Sequence, residues 1–234
     1  GQVLKDNGLK CTTVTVIPDE EHNPISEDTS HRQGAIEWLR QALDWSAALG
    51  SETLLGPFHS PLGVFSGSGA TEDEKSRGTE VHRQIAGYAQ ERNVMLALEY
   101  LNRFECYFLN TMADALDYVK RVDHPNFGTM YDTFHANIEE QDPIGVIAPA
   151  IDHINHVHIS ENDRGTPGRG HIDFAATLSA LKGAGYDGWL TIEAFGRALP
   201  DLAAATRVWR DFFPSRESVY QEGITFLKEG WANA

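Results

Sequence analysis

Six short apolar runs recur along the chain, and stretches with helical periodicity separate them. Each run is strand-like in length and in its apolar content. The predicted strands are Lys10–Ile17, Glu52–Phe58, Val94–Leu101, Gly128–Thr133, His153–Ser160 and Gly188–Ala194.

Amphipathic helices are predicted between these runs. The clearest is Arg32–Leu49, in which Ile36, Leu39 and Leu43 repeat with the helical period and Gly50 provides a stop. Because strands and helices alternate, the pattern predicts parallel βα units. No linker or low-complexity tract interrupts the series, so we expect one domain over residues 1–234. The other predicted helices are Glu74–Arg92, Thr111–Val122, Asp142–Ile151, Phe174–Ala184 and Ser218–Trp231.

The strand count falls short of a closed barrel. A (β/α)₈ TIM barrel requires eight strands, and the sequence before the first predicted strand, Gln2–Gly8, has the character of a helix end. The simplest interpretation is an α/β TIM barrel that lacks its first one or two βα units. Two open sheet edges would favour pairing with another copy, so we also expect a homo-oligomer.

Four polar residues lie at the downstream ends of the last four apolar runs. They are Glu99, Asp132, His158 and Glu193, separated by 33, 26 and 35 residues, which is about one strand plus one helix each time. In a parallel barrel all strands end on the same rim, where active sites are built. We therefore expect the four side chains to converge.

Side-chain alternation supports this convergence. Successive residues of a strand point to opposite faces, so Glu99 shares a face with Met95 and Ala97, and His158 shares one with His156. In each case the polar residue lies at the end of the face expected to point into the barrel.

A shell of three carboxylates and one imidazole predicts a divalent-metal site. This donor set suits Mn²⁺, which we expect, or Co²⁺ or Mg²⁺, better than a metal that prefers thiolates, and it suits Zn²⁺ less. Other roles exist for single members: Asp132 has the position of a helix N-cap, and a lone histidine such as His158 is commonly a buried residue bonded to backbone.

Composition and charge narrow the partners. The formal net charge is −15 and no basic run occurs, which disfavours nucleic acids and anionic membrane surfaces. Two cysteines, Cys11 and Cys106, give no disulfide framework, and no apolar run has the length of a membrane span, so we expect a cytoplasmic protein. No lysine ends a strand, which disfavours a Schiff-base aldolase.

Four blocks of sequence surround the four predicted metal ligands: ALEYLNRFE (residues 97–105), DTFHANIEE (132–140), HVHISENDRGTPG (156–168) and IEAF (192–195). These blocks closely resemble the D-tagatose 3-epimerase and D-psicose 3-epimerase family, within the xylose isomerase-like sugar isomerase and epimerase barrels.

The resemblance implies roles for individual residues. Glu99, Asp132, His158 and Glu193 correspond to the metal ligands, and Glu99 and Glu193 also to the catalytic pair. Three further residues correspond to positions that bind sugar hydroxyls: Glu105, His135 and Arg164.

The expected reaction is epimerisation of a free ketose at C3. A chelated metal acts as a Lewis acid that stabilises the enediolate, and two carboxylates on opposite faces remove and return the proton. The alternatives are an aldose–ketose isomerase, an epimerase acting at another carbon of a keto sugar, and a truncated sugar-binding barrel without activity. A DNA repair enzyme of the endonuclease IV type would need more metal-binding histidines and a basic face.

Overall fold

The computed structural model describes residues 1–234, which form two compact units. The first comprises Gly1–Met130 with His153–His156, and the second comprises Tyr131–Asp152 with Val157–Ala234. The single domain expected over residues 1–234 stays a prediction. Six strands form one sheet in sequence order: β1 Thr13–Val14, β2 Thr53–Gly56, β3 Met95–Leu98, β4 Phe127–Asp132, β5 Ile154–Ile159 and β6 Leu190–Ile192.

Nine α-helices precede, separate or follow the strands, and the ends of several match local sequence signals. Thr71 and Glu74 form a reciprocal capping box at the start of α3, and Thr111 with Asp114 does the same for α4. Helix α2 ends at Gly50 in the left-handed conformation, with φ 78°. The helices are α1 Gln2–Asp6, α2 Thr29–Leu49, α3 Glu72–Glu91, α4 Met112–Val122, α5 Thr133–Glu139, α6 Ile147–Ala150, α7 Phe174–Gly183, α8 Pro200–Ala205 and α9 Arg216–Asn233.

The first unit contains strands β1 to β3 and most of β4, paired in parallel with their neighbours. Leu55, Ala97 and Met130 form a buried cluster on one face of these strands. Because alternate residues share a face, this cluster identifies the face that continues to Glu99 after β3 and to Asp132 at the end of β4. The predicted alternation on the third strand is confirmed for Ala97.

The second unit contains the second half of β5, residues 157–159, which pairs in parallel with β6. Helices α7 and α9 pack together, with the rings of Phe174 and Phe226 at 5.6 Å between centroids in an edge-to-face arrangement. Gly230 allows α9 a close approach, since a Cβ there would lie 2.7 Å from a methyl of Leu178. Helix α9 also packs against β6, the strand that precedes Glu193.

The predicted elements and the structure differ most in the first strand, in one predicted helix and at two short helices. The strand predicted at Lys10–Ile17 is regular only over Thr13–Val14. In the segment predicted as helix Asp142–Ile151, Asp142 instead accepts a hydrogen bond from the Gly145 amide at 2.8 Å, and the α-helix is restricted to α6. Helix α8 was not predicted, and α5 was anticipated only through the N-cap position of Asp132.

The helices also bear on the membrane prediction. None of them combines the length and apolar character that crossing a bilayer would require.

His82 of α3 is a buried histidine in the core of the first unit. Its Nδ1 accepts from the Tyr118 hydroxyl at 2.6 Å, and its Nε2 lies 3.1 Å from the carbonyl oxygen of Phe58. Burial lowers the pKa of His82 to about 4, against the smaller raising effect of its backbone hydrogen bonds, and burial raises the pKa of Tyr118 well above its ordinary value. The imidazole is therefore neutral in the folded protein at neutral pH, with its proton on Nε2.

Because His82 is buried and neutral, we expect the free energy of unfolding to fall as the pH is lowered. Below pH 6.5 the unfolded chain protonates His82 while the folded protein does not, until the pH falls through about 4. Over that interval the free energy of unfolding should fall by about 3 kcal/mol on account of this group. Urea unfolding between pH 7 and pH 4 should show a shallower pH dependence for His82→Gln than for the unchanged protein. The exposed His171, changed to Gln, is the control, and an unaltered slope in His82→Gln would contradict the assignment.

Candidate metal centre

Asp132 ends β4 and is 1% exposed. Its Oδ1 accepts from the Phe134 amide at 2.7 Å, so it caps α5 as the alternative interpretation expected. Its Oδ2 lies 3.5 Å from Nδ1 of His158 and 3.3 Å from Nη1 of Arg164. The carboxylate thus caps a helix with one oxygen and faces the site with the other.

His158 and Glu193 lie on neighbouring strands of the second unit. The Glu193 amide donates to the Ile159 carbonyl at 3.0 Å, which continues the β5–β6 ladder and fixes the backbone directly after β6. As a result, Oε1 of Glu193 lies 3.2 Å from Nδ1 of His158. Nδ1 of His158 therefore faces two carboxylates, those of Asp132 and Glu193.

Glu99 directly follows β3 and is 5% exposed. Its amide donates to the Gly56 carbonyl at 2.9 Å, which holds the end of β3 against the end of β2. Ligand atoms of Glu99, Asp132, His158 and Glu193 all lie within 4.8 Å of one another. The four residues singled out by their spacing in the sequence are thus a cluster of potential metal ligands.

Arg164 is the cation of this cluster. Its Nη1 donates to Asp132, to the Ser160 hydroxyl at 3.1 Å and, at short range, to Oε2 of Glu193. Its Nη2 lies 3.1 Å from Nε2 of His135, which is itself buried. Two residues assigned to sugar binding by resemblance, Arg164 and His135, therefore contact each other and the carboxylates.

The surroundings of Asp132 keep it ionised. Burial alone would raise the pKa of this carboxyl, but the positive charge of Arg164 and interactions with His135 and His158 outweigh burial and hold it well below its usual range. Asp132 is therefore a permanent anion at neutral pH, as a metal ligand of this type must be.

Glu161 was missed by the sequence analysis, yet it organises the loop that carries Arg164. It is fully buried, and its two carboxylate oxygens accept from the amides of Asn162, Gly168 and Ile172 at 3.0, 3.0 and 3.1 Å. Three backbone hydrogen bonds to one buried carboxylate fix the course of residues 162–172. The only indication of this role in the sequence is that Glu161 is an acidic residue next to a glycine-rich loop. Such a pattern is too common to predict a buried carboxylate bonded to backbone amides.

Glu105 lies in the turn after β3, in the first unit. Its amide donates to the Asn102 carbonyl at 3.0 Å, and its own carbonyl accepts from the Gly63 amide at 2.9 Å. These bonds fix the backbone of the turn. A contact between Glu105 and a sugar hydroxyl stays a prediction.

The donor set fits a divalent cation. Three carboxylates and one imidazole are hard or borderline ligands, and the guanidinium of Arg164 pairs with two of the carboxylates, those of Asp132 and Glu193. Buried negative charge is costly and a bound cation would offset it, so Glu99, Asp132, His158 and Glu193 are the residues that would hold a metal.

Comparisons with known proteins match nearly the whole chain. A family model described as the xylose isomerase-like TIM barrel matches residues 1–230. A probable ketose 3-epimerase of Synechocystis sp. is 35% identical over 222 residues, which cover 95% of this chain and 77% of that protein.

Solved structures give the same relationship. An L-ribulose 3-epimerase superposes with a TM-score of 0.94 at 30% identity, over 99% of this chain and 78% of the other. A D-allulose 3-epimerase from Methylomonas sp., in complex with D-allulose, superposes with a TM-score of 0.92 at 29% identity, over 97% of this chain and 79% of the other.

Proposed function

The chain belongs to the xylose isomerase-like TIM barrel family, and from this premise we propose that it is a metal-dependent ketose 3-epimerase. The observation that carries the proposal is the cluster of Glu99, Asp132, His158 and Glu193, which contains two glutamates that can act as acid and base. The relatives that match most of the chain are themselves named ketose 3-epimerase, L-ribulose 3-epimerase and D-psicose 3-epimerase.

Epimerisation at C3 of a ketose requires that a proton leave the carbon on one face and return on the other. In the proposed mechanism Glu99 and Glu193 act on opposite faces, and they exchange the roles of base and acid with the direction of the reaction. A bound divalent ion supplies Lewis-acid stabilisation of the negative charge that develops on the sugar. His158 supports the geometry of Glu193 through its contact at 3.2 Å.

Sugar hydroxyls need donors and acceptors held in fixed positions. Arg164 offers guanidinium donors, and its plane is held by the ring of Phe134, with a centroid 3.7 Å from Cζ, and by the ring of Phe195 at 5.1 Å. We assign Arg164, His135 and Glu105 to this role. Mn²⁺ as the metal and a homo-oligomer as the assembly belong to the same proposal.

The test is proton exchange. The protein loaded with Mn²⁺ is incubated in D₂O with D-psicose, L-ribulose and D-tagatose in separate reactions, and the products are followed by ¹H and ¹³C NMR. We expect deuterium at C3 together with the C3 epimer, and no exchange after treatment with EDTA. Exchange at C1 or C2 with aldose formation would instead identify an aldose–ketose isomerase, and metal binding without exchange at any carbon would identify a sugar-binding protein without activity.

A further inference from the structure

We propose that Arg164 acts as an internal cation that competes with the metal ion for the carboxylates of the site, and thereby sets the affinity of the protein for divalent metal. This inference rests on the proposed metal site but adds a property to it. The sugar-binding role proposed for Arg164 does not by itself include an effect on metal affinity.

The competition follows from shared oxygens. Nη1 of Arg164 donates to Oδ2 of Asp132 and to Oε2 of Glu193, and Oδ2 is the oxygen of Asp132 that remains after Oδ1 caps α5. A metal ion held by Asp132 and Glu193 therefore shares both carboxylates with the guanidinium. The two cations repel each other across this short distance, and the guanidinium already takes up part of the negative charge that would attract the metal.

The backbone of Arg164 is fixed, so the exchange is confined to its side chain. The Arg164 amide donates to the Glu161 carbonyl at 2.9 Å, and its carbonyl accepts from the Phe195 amide at 3.0 Å. Its φ of 63° is in the left-handed region, which a residue with a side chain occupies at some cost. A loop fixed in this way, with Glu161 bonded to three of its amides, cannot move away as a unit.

The side chain has a second position available close by. Nη2 already contacts Nε2 of His135, and the guanidinium plane lies against Phe134 on one side and near Phe195 on the other. A guanidinium that releases the carboxylates keeps these partners, so it remains in the site and does not return to bulk water. Release therefore costs mainly the charge-assisted hydrogen bonds to Asp132 and Glu193.

The size of the effect can be stated as a change in affinity. A hydrogen bond between charged groups contributes enough that its loss changes an equilibrium by about tenfold or more. Removing the competing guanidinium should consequently tighten metal binding by about tenfold or more. If Arg164 instead served to orient the carboxylates for the metal, its removal would weaken binding.

The experiment compares Arg164→Met with the unchanged protein. Methionine keeps much of the length and the apolar contact between Phe134 and Phe195 but removes the charge. The matched control is Arg197→Met, which removes a guanidinium bonded to both oxygens of Asp211 on the surface of the same unit. Each protein is stripped with EDTA and dialysed, and Mn²⁺ affinity is then measured by isothermal titration calorimetry, with the melting temperature recorded with and without Mn²⁺.

For Arg164→Met we expect Mn²⁺ binding tightened by about tenfold or more, a lower melting temperature without metal, and a larger rise on adding Mn²⁺. Arg164→Lys keeps the positive charge but loses the planar guanidinium, so its Mn²⁺ affinity should lie between those of Arg164→Met and the unchanged protein. The Lys variant also provides the test if Arg164→Met does not fold without metal. Unchanged or weaker Mn²⁺ affinity in both Arg164 variants would overturn the inference.

The inference and the proposed function fail in different ways. Tightened metal binding together with no ketose epimerisation by the unchanged protein would retain the inference and reject the function. Epimerisation with unaltered metal affinity in the Arg164 variants would do the reverse. Absence of Mn²⁺ binding by the unchanged protein would overturn the metal site and the inference together.

Discussion

Glu193→Gln is expected to abolish epimerisation while the fold and most of the metal site remain. Glutamine has nearly the same shape, but its amide cannot accept the proton of C3, and loss of a general base alone lowers kcat by about 10²–10⁴-fold. Glu193 lies on the rim with a partly exposed side chain, so the change creates no buried cavity. Glu99→Gln should have an effect of the same order, because each direction of the reaction needs both carboxylates.

The measurement is kcat for the ketose identified by proton exchange, with circular dichroism as a check of folding. Glu222→Gln is the matched control, since Glu222 is an exposed glutamate of the same unit that pairs with Arg169. Activity close to that of the unchanged protein in either Glu193→Gln or Glu99→Gln would reject a mechanism with two carboxylates.

Much of the site could be predicted because it depends on topology. Glu99, Asp132, His158 and Glu193 each lie at or next to the downstream end of an apolar strand, and parallel strands end on the same edge. Two regularities of the chain, alternation along a strand and the βα repeat, were therefore enough to bring them together. The roles implied by resemblance could not have come from these regularities alone.

What the sequence did not show is how loops and short helices shape the site. Glu161 fixes the Arg164 loop through three amides, and no periodic pattern marks a buried acid that bonds only to backbone. The same limit applies to α5, where the capping oxygen of Asp132 starts a helix of seven residues immediately after a strand. Whether a helix this short forms depends on one or two tertiary contacts. A hydrophobic period needs a longer stretch of sequence to be recognised, so it cannot predict such a helix.

Asp132 should be the most costly residue of the site to remove. In Asp132→Ala the buried guanidinium of Arg164 loses one of its carboxylates, and α5 loses its N-cap. Removing one partner of a buried ion pair costs about 3–5 kcal/mol of the free energy of unfolding, and loss of the cap adds about 1 kcal/mol. Mn²⁺ affinity should fall by more than the roughly tenfold to hundredfold that loss of an outer partner of a metal ligand causes.

Two measurements separate these effects. Urea unfolding in EDTA reports the ion pair and the cap, and calorimetric titration with Mn²⁺ reports the ligand. Asp132→Asn should keep the cap, because an asparagine side chain also accepts from the Phe134 amide, while it loses the charge that Arg164 and the metal need. Asp152→Ala, at an exposed aspartate of the same unit, should change the free energy of unfolding by no more than about 0.5 kcal/mol. If Asp132→Asn bound Mn²⁺ as tightly as the unchanged protein, the negative charge of Asp132 would serve Arg164 alone and the metal would be held by the other three residues.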